Sequence, residues 1–187
     1  MKLFPVCFAF VMLSVSIYGQ AGWNWGEDAT TAKEKNAIYN DMMKNKNFKG
    51  AVEPLEWLLT NTPDLNPAIY INGVKIYDEL QKKESDAATK KAYQDRCLAL
   101  YDQRIEHFGD EAEVLNRKAF QAYKFLKDDK ERYDELYDLF EKTFELNGED
   151  VMVNNLVAYM DVIRRYRAAG GSLSDDDVLE KYGKTMA

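Results

Sequence analysis

From Ala32 to Gly73 the chain runs through two apolar-periodic segments, a polar turn between them and a proline stop, then begins the same pattern again. Ile38, Tyr39 and Met42 mark one face at three-to-four spacing, which predicts a helix over Asn36–Lys44. Asn45–Lys49 is the turn, and Ala51, Leu55, Leu58 and Leu59 form the stripe of a second helix over Phe48–Leu59. Pro63 ends the unit, and Asn66–Pro67 is a favourable start for the next helix. Pro54 interrupts this order, because an interior proline removes a backbone donor. The second helix is expected either to start near Val52 or to kink there.

The next unit carries Ile69, Gly73 and Ile76 on its inward face and runs through Tyr77 and Leu80 to about Lys83. Glycine inside a helix costs about 1 kcal/mol against alanine, so its use at Gly73 points to close helix packing. Ser85–Ala88 reads as a turn and N-cap of a long helix reaching Phe108, with Cys97 and Tyr101 on its inward stripe. The charged tip, Gln81 to Lys91, is expected to project beyond the stack, as a solvated turn or as a contact for a partner. A third unit opens near Ala112 with Leu115, Ala119 and Ala122. It turns at Lys127–Lys130, continues through Tyr133, Leu136, Phe140 and Phe144, and stops at Asn147–Gly148. A fourth opens near Val151 with Val157 and Ala158 and ends at Ala168–Gly171. Ser172–Asp177 then caps a last helix bearing Val178, Leu179 and Tyr182, its acidic first turn suited to the helix dipole.

Counted from Ala32, Phe48 falls at the seventeenth position, Ala51 at the twentieth, Leu55 at the twenty-fourth and Pro63 at the thirty-second. Counted from Asn66, Gly73 is eighth, and Ala119 and Ala158 take the same small-residue slot in later units. This pattern resembles the tetratricopeptide repeat, whose period is about 34 residues and whose units end in proline. The resemblance implies an all-α, right-handed helical-hairpin solenoid over residues 32–187, of three to four helix pairs with an elongated second pair. It also implies a concave face, lined by the first helix of each pair, that holds an extended or helical peptide. The matching positions are Asn36, Asn40, Met43 and Lys44, then Tyr70, Val74 and Tyr77, then Asn116, Phe120 and Tyr123, and finally Asn155. Aromatic rings and amides of this kind stack on side chains and bond a peptide backbone. Some members clamp a C-terminal carboxylate with basic residues. Asn36, Asn40 and Lys44 match that clamp only in part, the other basic positions being absent, so the specificity does not follow.

Ahead of the repeats, Lys2, an apolar run from Leu3 to Ile17 and small or polar residues after it have the layout of a secretory signal peptide over residues 1–21. The run is shorter than the roughly 20 residues that span a bilayer. Export to a bacterial periplasm or beyond is expected. The arm over residues 22–31 holds Trp23 and Trp25, expected to cap the apolar edge of the first helix pair or, on a second reading, to dock on a partner.

Composition narrows the function by exclusion. A net charge of −7 opposes binding to nucleic-acid phosphates. The two cysteines, Cys7 in the leader and Cys97 on a helix stripe, make no disulfide framework, and Cys97 is expected to be a buried thiol. His107 is the one histidine, so no histidine metal pair is available and at most one Ser-His-Asp set could be complete; beside Phe108 near a helix end it is expected to be a surface or cap histidine. Asp175–Asp177 lack the spacing of a calcium loop, and no phosphate loop or zinc motif occurs. No catalytic residues, metal or cofactor are therefore assigned. The expected function is a non-catalytic scaffold or adaptor that binds a protein or peptide. A self-assembling structural subunit is the second reading, and a small-molecule or enzymatic role in the groove the third, which would require a pocket with converging polar groups.

Overall fold

A computed structural model describes residues 23–186. The leader over residues 1–21 lies outside the described residues, and the arm is described from Trp23 onward. Among the described residues every regular element is a helix, with no strand: α1 (Ala29–Lys44), α2 (Phe48–Asn61), α3 (Ala68–Lys83), α4 (Ala87–Phe108), α5 (Glu111–Leu126), α6 (Tyr133–Asn147), α7 (Val153–Ala168) and α8 (Asp175–Met186). Short 3-10 turns at Lys130–Arg132 and Gly148–Asp150 precede α6 and α7. None of these helices is long and apolar enough to cross a membrane.

Side-chain caps set many of the boundaries. Asp28, Asn47 and Asp86 accept hydrogen bonds from the backbone N–H of Thr31, Gly50 and Thr89 at 3.1, 3.1 and 2.8 Å. The Asp28 cap carries α1 back to Ala29, well before the expected start at Asn36. At the other end, Ser174 and Asp177 cap each other's backbone N–H at α8. Glycine ends α6: Gly148 holds φ +52°, a conformation that L side chains adopt at a cost. Pro54 is interior to α2, which starts at Phe48 and not near Val52. The carbonyl that loses its donor belongs to exposed Gly50.

Each helix packs chiefly on its sequence neighbours, most extensively α3 on α4. Polar ties then link alternate helices in two series. In the first, Asn72 of α3 donates to the Tyr39 hydroxyl of α1 at 3.2 Å, Gln121 of α5 to Asp78 of α3 at 2.9 Å, and Tyr123 of α5 to Asp161 of α7 at 3.0 Å. In the second, Arg96 of α4 pairs with Glu56 of α2 at 2.7 Å, Arg132 ahead of α6 with Asp95 of α4 at 2.5 Å, and Lys181 of α8 with Glu141 of α6 at 2.6 Å.

Two hydrophobic clusters fill the interior. The first gathers α1–α4 around Leu55, Leu58, Ile69, Ile76, Cys97 and Leu100, and the second gathers α4–α8 around Leu98, Ala119, Phe140, Tyr159 and Ile163. Cys97 is buried with its thiol toward the Val74 carbonyl, and burial pushes its pKa up to about 12. Trp23 and Trp25 stack at 5.1 Å and pack on the first cluster, with Asn24 N–H bonded to the Leu65 carbonyl at 3.0 Å. The expected projecting tip is shorter than Gln81–Lys91. Gln81 is buried against Asp78 and Gln94, and Lys91 lies 3.9 Å from Asp129, because the start of α4 leans on the turn before α6. On α8, Leu179 is exposed, while Val178 and Tyr182 pack inward on the second cluster.

Gly73 sits where α3 meets both α2 and α4. A Cβ there would stand 2.8 Å from Leu100 Cδ1 and 3.2 Å from Leu55 Cδ2, both on fully buried side chains. Overpacking costs about 1–3 kcal/mol, and alanine's better helix propensity returns at most about 1 kcal/mol. Gly73→Ala should therefore lose stability by about 1–2 kcal/mol, read as a lower urea midpoint with an unchanged slope. A variant as stable as the parent would show that this junction has slack.

Candidate functional site

One opening in the helix packing lies between α3 and α5. Both helices lie against α4 but touch each other little, so they open above it. The opening is a cavity of about 410 Å³. Tyr70, Ile71 and Val74 come from α3, Leu100, Tyr101 and Arg104 from α4, Glu113, Arg117 and Phe120 from α5, and Met152 from the start of α7. The volume is in the range of small-ligand and side-chain pockets.

Three of the residues expected on a concave face line this cavity: Tyr70, Val74 and Phe120. Tyr70 contributes only ring surface. It is buried, its hydroxyl donates to the Pro63 carbonyl at 2.8 Å, and its ring stacks on His107 and meets Phe108 edge-on. Burial first, then the nearby Glu106 carboxylate, push its phenol up to about 12.

The other expected positions lie elsewhere. Asn40 donates to the Asn36 carbonyl at 2.7 Å, so these two amides serve one another on α1. Met43 packs on the first cluster, and Lys44 is exposed in the last turn of α1, where a cation suits the dipole. The buried Tyr77 hydroxyl donates to Glu56 at 2.6 Å, beside Arg96. Tyr123 is half-buried, with its ring 6.4 Å from Phe120 and its hydroxyl on Asp161.

Asn116 and Asn155 do not face a groove at all. Asn155 is fully buried and donates to the carbonyl and side-chain oxygens of Asn116 at 2.7 and 2.8 Å. Asn116 donates in turn to the Asp150 carbonyl at 2.9 Å and to Asn147 at 3.2 Å, and accepts from Met152 N–H at 3.0 Å. Asn147 closes the set on the carbonyls of Ala112 and Thr143. The three amides bind the end of α6, the middle of α5 and the start of α7, and so place Met152 at the cavity.

Sequence reasoning missed Ile71, Tyr101, Arg104, Arg117 and Met152 as site residues. One signal for Ile71 is present in the sequence, since it is apolar and lies off the Ile69–Gly73–Ile76 stripe. Tyr101 sits on the stripe assigned to the core, which concealed it. Among the described residues no group of His, Cys, Asp and Glu side chains could hold a metal ion.

No protein-family model matches the chain, and no curated protein matches it.

The amide set makes a sharp contrast testable. Asn116→Ala strands the Met152 N–H and the Asp150 carbonyl and leaves the buried Asn155 amide only the Asn116 main-chain carbonyl, at an expected cost of about 2–4 kcal/mol. Tyr123→Phe removes one half-buried hydrogen bond and should cost about 1 kcal/mol or less. Urea unfolding of both variants checks the order. Equal losses would show that Asn116 carries no more than an ordinary surface amide.

Proposed function

We propose that the protein is a non-catalytic interaction scaffold of the bacterial cell envelope, a tetratricopeptide-like solenoid that holds a protein or peptide partner along α1, α3, α5 and α7. The observation that carries this reading is the apolar surface left exposed on α3 and at the start of α7. Ile71 is 52% exposed, Met152 38%, Val153 78% and Val157 71%. Ile71 and Met152 share the cavity wall, and Val153 and Val157 are one helical turn apart on α7. Exposed apolar side chains grouped in this way mark places where another surface docks.

The two series of polar ties support the repeat arrangement. One joins first helices to first helices, the other second to second, and α8 is tied to α6 as α4 is to α2. Helix pairs stacked in register, with α7 and α8 as the last pair, would be tied in this way. The leader-like segment supports export. Exposed Leu179 on α8, at the end of the stack, favours a second reading, a self-assembling structural subunit.

Both readings are tested with Ile71→Asp and Val157→Asp. These positions are exposed, so stability should change by about 0.5 kcal/mol or less. Tyr70 is unsuitable for the purpose, because truncating it would damage the core. Tagged protein crosslinked in the native cell envelope should capture one envelope protein, and the double variant should lose it. Undiminished capture by the double variant would show that the partner docks elsewhere. Capture of the protein alone, with a mass in solution that rises with concentration, selects self-assembly.

A further inference from the structure

The cavity above α4 is not merely apolar. The Arg104 guanidinium has no ion pair and no hydrogen bond to the described residues, and its Nε is buried. The Tyr101 hydroxyl one turn earlier on α4 has no hydrogen-bond partner either. Burial first, then Cys97 and Asp78, hold the Tyr101 phenol well above its usual range, so at neutral pH it remains an O–H donor. Two unused donors thus line one cavity whose apolar walls are Tyr70, Ile71, Val74, Leu100, Phe120 and Met152.

The charge around them is specific. Arg117 is paired with Glu113 at 3.1 Å, which leaves Arg104 as the uncompensated cation of the cavity wall. One positive charge with donors beside it matches one carboxylate. It does not match a phosphate dianion, which would also face Glu113. The aromatic and aliphatic walls call for an apolar body behind that carboxylate.

We propose that this cavity binds a small amphipathic carboxylate, an aliphatic or aromatic acid whose carboxylate is held by Arg104 and Tyr101 and whose body lies against Phe120, Ile71 and Met152. The ligand accepts hydrogen bonds from the guanidinium and the phenol, and no covalent step is involved. The assignment goes beyond the scaffold reading and stands without it, because it needs only the cavity and not a protein partner.

The test is titration calorimetry on the purified chain with octanoate and phenylbutyrate, each against its neutral alcohol, octanol and phenylbutanol. Both acids should bind, and each alcohol should bind about tenfold or more weakly, the effect of losing a charge-assisted hydrogen bond. Arg104→Gln should weaken the acids by about tenfold or more and leave the alcohols unchanged, while Tyr101→Phe should weaken the acids by a smaller factor. Circular dichroism confirms that the variants fold. If Arg104→Gln does not fold, the comparison of acid with alcohol on the parent chain decides alone. Equal binding of acid and alcohol, no binding of either acid at millimolar concentration, or undiminished binding by folded Arg104→Gln would overturn the assignment.

Discussion

α4 must satisfy two cores at once. Cys97 and Leu100 face the first cluster and Leu98 the second, so one helix is the shared wall between the two halves of the interior. A helix used on both sides cannot tilt to improve one contact without loosening the other. Gly73 sets the position on one side, because its missing side chain lets α3 settle against Leu100. On the other side, Ala119 and Ala122 of α5 pack with Leu98 in the second cluster, and Lys118 adds a pair with Asp102 at 2.6 Å. With α3 and α5 both held to α4, little contact remains between them, and the cavity follows. It comes from the packing rather than from a defect in it.

Buried polar groups fix what hydrophobic packing leaves adjustable. Apolar contacts are non-directional, so two clusters alone would tolerate sliding along the helix axes. The Asn147–Asn116–Asn155 amides remove that freedom at the α5–α6–α7 junction, since a displaced helix would strand several buried donors and acceptors together. The Tyr77–Glu56–Arg96 set does the same for α2, α3 and α4. Each set joins three helices, which a simple ion pair between neighbours does not do. Met152 and Ile71 reach one cavity from distant parts of the chain because these registers are fixed.

Helix boundaries were largely legible in the sequence, because they depend on local chemistry. The ends of α2 and α3, the stop at Gly148 and the reach of α4 to Phe108 follow from caps, glycines and polar turns near in sequence. The tight packing at Gly73 was legible too. The lining of the site was not, for a physical reason: an asparagine that bonds a peptide and one that bonds a buried turn are the same residue at similar spacing. Only the path of the 147–152 turn turns Asn116 and Asn155 inward. Tyr70 and Tyr101 show the same limit in reverse. Tyr70, expected on the open face, has its hydroxyl taken by the Pro63 carbonyl, while Tyr101, expected on an inward stripe, leaves its hydroxyl unused. Hydrogen-bond vacancy is a three-dimensional property that periodicity does not encode.

An unpaired arginine beside apolar walls is costly if fully dehydrated, since moving a cation out of water without a partner carries a large penalty. Arg104 avoids most of that cost because only its Nε is deeply buried and the cavity remains open. The chain's net charge of −7 sharpens what such a site admits. A polyanion approaching this protein meets repulsion from the chain's net negative charge before it reaches one local cation, whereas a monoanion with an apolar body meets little repulsion and gains the walls. Selectivity therefore rests on the contrast between one unpaired cation and the net negative charge of the chain. Adding positive charge near the mouth would widen the range of anions accepted while weakening that discrimination.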